Sequence, residues 1–289
     1  MTIFNIGSIN IDKTYQVPHL PSEGETLAAH DLTLGLGGKG TNMSVAASRA
    51  AAHVVHIGAI GPEGRWTVDR MTEYGVDTRH ICQVDAETGH AIIAVDTQGE
   101  NLILLWPGAN HCISEAQCIA ALAESVPGDV FLTQNETNAQ TDAARIARSR
   151  GMKVLYAAAP FSAEAVQAIL PLTDLLVLNE VEAEQLEHSL GTPLTELGLN
   201  DVVVTLGADG CKHINAAGDA AHFPAFKTEV RDTTGAGDTF TGYLAAGLDR
   251  GQPMAQAIRT AQKAAALMVS RLGTADVIPD LKDVQDASF

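Results

Sequence analysis

The chain has 289 residues, of which 46% are hydrophobic and 18% are charged, and its formal net charge is −17 at pH 7. This composition is ordinary for a globular enzyme and excludes a disordered chain. The negative charge, which no cluster of Lys or Arg interrupts, excludes nucleic acid and anionic membrane surfaces as partners. An anionic nucleotide remains possible, because helix N-termini and a divalent metal can bind it locally.

The cysteines and the N-terminus indicate a cytoplasmic protein. The start, Ile3 to Gly7, resembles a strand and has no basic region, and no segment approaches membrane-spanning length. The spacing of the four cysteines matches neither a metal site nor a redox motif, so we expect free thiols in a reducing compartment. They are Cys82, Cys112, Cys118 and Cys211.

The first predicted strand ends with the run Gly7 to Asp12. Alternation with a period of two puts Asn10 and Asp12 on the same face, where they could bind vicinal hydroxyls together. Asn and Asp at a strand end are more often turn formers, so the pair alone leaves both interpretations open.

A glycine-rich run, Gly35 to Asn42, precedes a helix predicted from about Met43 to Ala52. Its spacing fits a dinucleotide fingerprint, but the acidic residue expected after the next strand is missing. A Walker-type phosphate loop also fails, since Lys39 is followed by glycine. The remaining interpretations are a close backbone approach to a ligand, with the Asn42 amide offered to hydroxyls, or a tight turn into the helix.

Short apolar runs alternate with helical patterns along most of the chain, which predicts a doubly wound, mostly parallel α/β sheet. Two stretches, about 12–36 and 90–106, lack intervening helices and predict a small second sheet that acts as a lid on one domain of residues 1–289. The alternating pairs are Val54–Ile60 with Val68–Tyr74, Val130–Thr133 with Asp142–Arg150, Lys153–Ala157 with Ala163–Leu170, and Leu175–Leu178 with Val181–Leu190.

Polar residues follow two of the later strands. Asn179 to Glu182 fits a capping box, and a water-mediated Mg²⁺ site is the functional alternative. Thr205 and Gly207 end another strand, where they either line a nucleotide or form a turn. The ten histidines have no helical pair with metal spacing, and we assign none to catalysis.

The run Arg231 to Asp238 carries the strongest functional signal. Gly235, Ala236 and Gly237 lead into an apolar helix, so their N–H groups are predicted to form an anion hole. Asp238 falls in the first helical turn, where a base for an alcohol is needed. These residues therefore indicate phosphoryl transfer to a hydroxyl, or else an ordinary capped helix.

Taken together and in this order, these runs resemble the ribokinase (PfkB-type) carbohydrate kinase family over almost the whole chain. The resemblance rests above all on Gly-Gly-Lys-Gly-x-Asn at 37–42 and Asp-Thr-Thr-Gly-Ala-Gly-Asp at 232–238. It implies a sheet core with a β lid, ATP as donor, Mg²⁺, and transfer of the γ-phosphoryl group to a sugar hydroxymethyl. Within the family, the form of the first strand is most similar to ribokinases and some nucleoside kinases.

The resemblance also implies roles for individual residues. Asp238 would be the base, and the N–H groups of Gly235, Ala236 and Gly237 the anion hole. The sugar would be bound by Asn10, Asp12, Gly38, Lys39, Asn42, Glu136 and Asp238. ATP would contact Asn179, Thr205, Gly207, Gly237 and Gln262. Glu182 would hold Mg²⁺ through water, and Asp232 and Thr234 match half of a potassium site.

Some positions depart from the family pattern. Val277 replaces a Ser near the potassium site, which puts activation by K⁺ in doubt, and Ala157 to Pro160 lacks a polar contact near the phosphates. Tyr243 and Arg231 differ from the residues usual in the signature run. Trp106, at the end of a lid strand, either packs in the lid or at a dimer contact, or stacks on a base.

The leading hypothesis is an ATP-dependent sugar kinase for a pentose, and its nearest rival is a nucleoside kinase on the same scaffold. A dinucleotide-dependent oxidoreductase and a non-catalytic sugar sensor are weaker alternatives. A lid with an apolar outer face also predicts a homodimer through Ala91 to Leu105.

Overall fold

A computed structural model describes residues 1–289 as thirteen strands and nine α-helices. The strands are β1 (Thr2–Ile6), β2 (Asn10–Gln16), β3 (Asp31–Gly37), β4 (His53–Ile60), β5 (Asp77–Gln83), β6 (Gly89–Val95), β7 (Asn101–Trp106), β8 (Val130–Thr133), β9 (Lys153–Ala157), β10 (Leu175–Asn179), β11 (Asp201–Thr205), β12 (Cys211–Asn215) and β13 (Ala220–Phe223). The helices are α1 (Lys39–Arg49), α2 (Arg65–Glu73), α3 (Glu115–Leu122), α4 (Gln140–Ser149), α5 (Ala163–Ile169), α6 (Glu180–Leu190), α7 (Ala236–Asp249), α8 (Met254–Met268) and α9 (Leu281–Asp286).

The large sheet has nine strands in the order β13-β12-β11-β10-β9-β8-β1-β4-β5. All neighbours from β5 to β11 are parallel, and the β11-β12-β13 meander at one edge is antiparallel. The predicted mostly parallel α/β sheet is therefore confirmed. Because helices cover both faces of this sheet, its strands are nearly continuous runs of apolar residues.

Two apolar cores lie on the two sides of this sheet. In β1, Ile3 packs into one core, whereas Phe4 and Ile6 pack into the other, as the alternation of side chains along a strand requires. The first core takes Val45 of α1, Met71 of α2, Leu244 of α7 and Ile258 of α8, and the second takes Leu122 of α3, Ala144 of α4, Val166 of α5 and Leu186 of α6.

The second sheet has four strands in the order β3-β2-β6-β7. It confirms the predicted small sheet, and its strands extend one or two residues beyond the expected bounds of 12–36 and 90–106. A turn at 96–100 joins β6 to β7, and every residue of β7 is exposed. None of the helices combines the length and the apolar character that a membrane span requires.

The first strand ends earlier than the sequence pattern predicts, and the first helix begins earlier. β1 stops at Ile6, and Asn10 starts β2 in the second sheet, where it pairs with Gly37 and Gly89. Residues 7–9 leave the large sheet because other partners hold them. The Ser8 carbonyl accepts the Thr41 N–H at 2.9 Å, and the Ile9 N–H donates to Asn110. The helix α1 starts at Lys39 instead of Met43, where the Thr41 N–H is bonded to Ser8, so the end of the glycine run forms the first helical turn.

Gly7 and Gly40 allow this turn to lie directly on the end of β1. A Cβ atom added at Gly7 would lie 2.5 Å from the Cα of Gly40, and one added at Gly40 would lie 2.4 Å from the Cα of Gly7. The two backbones are in contact, so neither position has room for a side chain.

We expect Gly7→Ala to lower the free energy of unfolding by about 2 kcal/mol, because backbone must move to admit the methyl group. Gly35→Ala is the matched control, since its Cβ would meet only the Cβ of Asp12, at an ordinary 3.8 Å. Urea unfolding of both variants measures the difference. Equal stability of the two variants would contradict the close contact.

Candidate active site

A cleft opens where several parallel strands end, which is the position that open α/β sheets use for ligands. β10 ends at Asn179 and β11 at Thr205, and the first turns of α1 and α7 approach from the other side. Six predicted site residues line this cleft together: Lys39, Asn179, Glu182, Thr205, Gly237 and Asp238.

Asp238 is the third residue of α7 and is 8% exposed. The Asn42 side chain donates from Nδ2 to Asp238 Oδ2 at 2.9 Å. Asn42 Oδ1 is buried and has no hydrogen-bond partner in the protein. The Asn42 side chain thus orients the carboxylate in the cleft, and its own amide oxygen stays unpaired in the interior beside it.

The N-terminus of α7 supplies the predicted amide donors in part. Gly235 adopts a left-handed conformation with φ 75°, and a Cβ at Gly237 would meet nothing within 4 Å. The N–H groups of Gly235 and Gly237 have no backbone partner, whereas the Ala236 N–H donates to the Thr233 carbonyl at 3.2 Å. Two of the three predicted donors are therefore free for an anion, and the third is engaged.

Asn10 and Glu136 line a second cleft, below the end of β7. Glu136 Oε2 accepts from the Ser8 hydroxyl and from the Lys39 N–H, the latter at 3.1 Å. Trp106 lines the same cleft, together with Leu105, Pro107, Asn110, His111, Asn135 and Pro160. The sequence analysis missed Ser8 and Asn110, and only their positions beside predicted site residues could have pointed to them.

Several ionisable groups around the two clefts shift one another's pKa values. The Asp238 carboxylate raises the pKa of Lys39, burial opposes this shift, and Glu136 adds to it. Burial raises the pKa of Glu136, although Lys39 and Ser8 act against the shift. Burial, together with the charges of Glu136 and Asp238, raises the pKa of Asp12 to about 7. The site is consequently short of positive charge until a ligand or metal arrives.

Glu182 and Asn179 form the predicted capping box at the start of α6. Asn179 Oδ1 accepts the Glu182 N–H at 2.8 Å, and Glu182 Oε2 accepts the Asn179 N–H at 2.8 Å. Burial raises the pKa of Glu182. No group of three or more His, Cys, Asp or Glu side chains is arranged to hold a metal. The Glu182 carboxylate in the cleft nevertheless fits Mg²⁺, which usually keeps several waters and binds through substrate phosphates.

Several predicted site residues lie outside both clefts. Asp232 accepts N–H bonds from Thr234 at 2.9 Å and from Gly273 at 3.2 Å, at the loop that carries Val277. Gly207 begins a short 3₁₀ turn after β11. Gly38, with φ 96°, precedes α1 and passes close to the Ser8 carbonyl.

Gln262 is placed differently from the other predicted ATP contacts. It is 6% exposed, and its Nε2 donates to the Phe223 carbonyl at 2.7 Å. Its Oε1 accepts from Arg259 at 3.2 Å. Both ends of this amide are engaged with the protein, so its contacts join α8 to the β13 edge.

Known proteins resemble this chain over nearly its whole length. A family model for pfkB family carbohydrate kinases matches residues 2–281. A ribokinase of Haemophilus influenzae is 36% identical over 293 residues, which cover 96% of this chain and 95% of that protein. The structure of Arabidopsis thaliana ribokinase complexed with ribose and ATP superposes with a TM-score of 0.85 at 25% identity, covering 98% of this chain and 97% of that one. The nucleoside kinase of Burkholderia thailandensis in complex with inosine has a TM-score of 0.86 at 19% identity, covering 98% and 94%, and shares the fold.

The carboxylate cluster gives a testable dependence of stability on pH. Because the pKa of Asp12 is about 7 in the folded protein and 3.8 for a free carboxyl, its contribution favours folding below pH 3.8 and is lost as the pH rises through 7. We therefore expect Asp12→Asn to raise the melting temperature, and to raise it more at pH 8 than at pH 5. Thermal melts of both proteins across this range measure the effect. A gain that does not change with pH would contradict the burial of an ionisable Asp12.

Proposed function

The chain belongs to the pfkB family of carbohydrate kinases, and we propose that it transfers the γ-phosphoryl group of ATP to the primary hydroxyl of a pentose, with D-ribose as the first substrate to test. The observation that carries this proposal is the Asp238 carboxylate, buried and oriented by Asn42 beside two free N–H groups. The chain matches the Haemophilus influenzae ribokinase over 96% of its length.

Asp238 is proposed as the general base. Its carboxylate takes the proton of the sugar hydroxymethyl while the alcohol oxygen forms a bond to the γ-phosphorus. The bond between that phosphorus and the bridging oxygen breaks, and ADP leaves with the electron pair. Asn42 keeps the carboxylate in place, because its Nδ2 donates to Asp238 Oδ2.

The transferred group is stabilised by fixed positive charge. The free N–H groups of Gly235 and Gly237 point from the N-terminus of α7, where the helix dipole favours an anion. Lys39 lines the same cleft, and the Asp238 charge raises its pKa, so it remains an ammonium. When bound, Mg²⁺ would neutralise the phosphates, and Glu182 would hold it through water.

The sugar would lie between the two clefts. Asn10, Asp12, Asn42 and Glu136 offer amide and carboxylate groups, which suit the hydroxyls of a neutral polyol. Gly38 lets the backbone approach closely. The second sheet covers this region and would act as a lid that excludes water during transfer. The adenine nucleotide would extend along Asn179, Thr205 and Gly207.

Potassium fits the structure poorly. Both oxygens of Asp232 already accept backbone N–H groups, from Thr234 and Gly273, and Val277 presents methyl groups instead of a hydroxyl. We propose that K⁺ is not required and derive no step from it. Rates that are equal in KCl and NaCl support this proposal, and a strong preference for KCl would overturn it.

The exposed apolar residues of β7 bear on how the protein assembles. Leu104, Leu105 and Trp106 are each more than half exposed on β7, which suits a homodimer through the second sheet. Light scattering that shows a monomer would remove that proposal.

We place the enzyme in the cytoplasm, since all four cysteines are free thiols and its donor is ATP. Cell fractionation tests this.

A nucleoside kinase is the second candidate, because Trp106 lines the second cleft beside Asn10 and Glu136. An indole ring at this place can stack on a base. A nucleoside acceptor would use that ring to bind its base, whereas ribose has no base to stack.

We expect Asp238→Asn to lower kcat by roughly two to four orders of magnitude, because the amide cannot take the proton. Asp249→Asn is the matched control: Asp249 is also buried on α7, at the opposite end of the helix. A coupled assay for ADP release with ribose, ATP and Mg²⁺ measures both. Near-normal turnover of the Asp238 variant would overturn the assignment of the base.

We expect turnover with ribose to exceed turnover with every member of a nucleoside panel, and Trp106→Ala to leave kcat with ribose within about twofold. Trp66→Ala is a control with another partly exposed Trp, on α2. If turnover is higher with nucleosides than with ribose, and this difference disappears in the Trp106→Ala variant, the protein is a nucleoside kinase and the ribose proposal is wrong.

A further inference from the structure

Asn110 fixes which end of the Asn10 amide faces the second cleft. The Ile9 N–H donates to Asn110 Oδ1 at 2.9 Å. A backbone N–H can only donate, so the Asn110 atom that faces it must be the oxygen. The Asn110 NH₂ group therefore faces the other way, and it donates to Asn10 Oδ1 at 2.8 Å and to the Ile9 carbonyl at 3.3 Å.

These contacts leave Asn10 with one free end. Its Oδ1 is occupied by Asn110, so Nδ2 is the group that it can offer to a ligand. Asn110 is 1% exposed, and both of its NH₂ protons are used within the protein. Asn110 therefore acts on a ligand through Asn10.

The surrounding backbone makes room for this pair. A Cβ atom added at Gly89 would lie 2.1 Å from Asn110 Nδ2 and 2.5 Å from Asn10 Oδ1. Gly89 starts β6, next to Asn10 in the second sheet, and Asn110 lies in the short turn that follows β7. The absence of a side chain at Gly89 lets the two amides meet.

The Asn10 amide shares the second cleft with the carboxylate of Glu136. Glu136, Asp12 and Asp238 can only accept hydrogen bonds when ionised, and Asn42 already donates to Asp238. A sugar hydroxyl that gives its one proton to a carboxylate needs a donor for its own lone pairs. The NH₂ group of Asn10 can supply that donor in the second cleft.

We propose that Asn110 is a positioning residue that keeps the NH₂ end of Asn10 turned toward the acceptor sugar. This inference rests on the proposed function, because it takes the second cleft as part of the sugar site. If the Asn10 amide turned over, an oxygen would replace the donor among acceptors, and sugar binding would weaken.

The test is steady-state kinetics of Asn110→Asp and Asn110→Ala, alone and combined with Asn10→Ala. At about pH 8.5 an ionised Asp accepts the Ile9 N–H as Asn110 does. It cannot donate to Asn10, however, and its second oxygen would turn the Asn10 amide over. We expect the KM for the sugar to rise roughly ten- to hundredfold and kcat to change by less than about threefold. Asn110→Ala removes the two Ile9 contacts as well, but it leaves Asn10 free to rotate and does not turn its amide over, so its effect on KM should be smaller.

The combined variants separate positioning from structural support. If Asn110 acts through Asn10, neither Asn110 change raises KM further once Asn10 is Ala. An unchanged KM in both Asn110 variants, an effect that persists in the Asn10→Ala background, or a larger KM for Asn110→Ala than for Asn110→Asp would overturn the inference. An Asn10→Ala variant with normal KM would instead overturn the assignment of the sugar site itself. Melting temperatures report any loss of folding separately, and Asn110→Ala tests the idea if the Asp variant does not fold.

Discussion

A hydrogen bond of 2.9 Å between Asn42 and Asp238 holds the site together. It joins the first turn of α1 to the first turn of α7, two helices that lie far apart in sequence. Gly242 lets α7 pack closely on α1, since a Cβ there would lie 2.5 Å from the Met43 carbonyl. The second sheet leads into α1 through Gly37 and Gly38, so the second sheet, Asn42 and the proposed base Asp238 meet at this one junction.

The charges at this junction lower the stability of the folded protein but suit the binding of a ligand. Glu136 and Asp238 act on the ammonium group of Lys39 and also on the carboxyl of Asp12, in a chain with a net charge of −17. Ionised carboxylates that are crowded and partly dehydrated oppose folding. The same crowding leaves acceptors for the hydroxyls of the proposed sugar, and free N–H groups at α7 for the proposed phosphate. Under the proposed function, binding of the substrates relieves a cost that the folded protein bears alone.

The sequence predicts features that depend on local pattern. The alternation of apolar runs and helices, the capping box at Asn179 and the position of Asp238 in the first turn of α7 all follow from neighbouring residues. The end of β1 and the start of α1 do not, because they depend on bonds from Ser8 and Ile9 to distant residues. The contacts of Gln262 are part local and part distant: Arg259 lies one turn earlier on α8, whereas only the fold brings the Phe223 carbonyl to its amide. The sequence gives no sign of Asn110, because its contacts with Ile9 and Asn10 exist only once the chain is folded.

The most direct measurement of the central claim is a crystal structure with D-ribose and an unreactive ATP analogue bound. The account predicts that the primary hydroxyl oxygen lies within about 3 Å of an Asp238 carboxylate oxygen, in line with the terminal phosphorus. The N–H of Gly237 should face a terminal phosphate oxygen. A sugar bound with its primary hydroxyl turned away from Asp238, or with another residue at hydrogen-bond distance from that hydroxyl, would contradict the account.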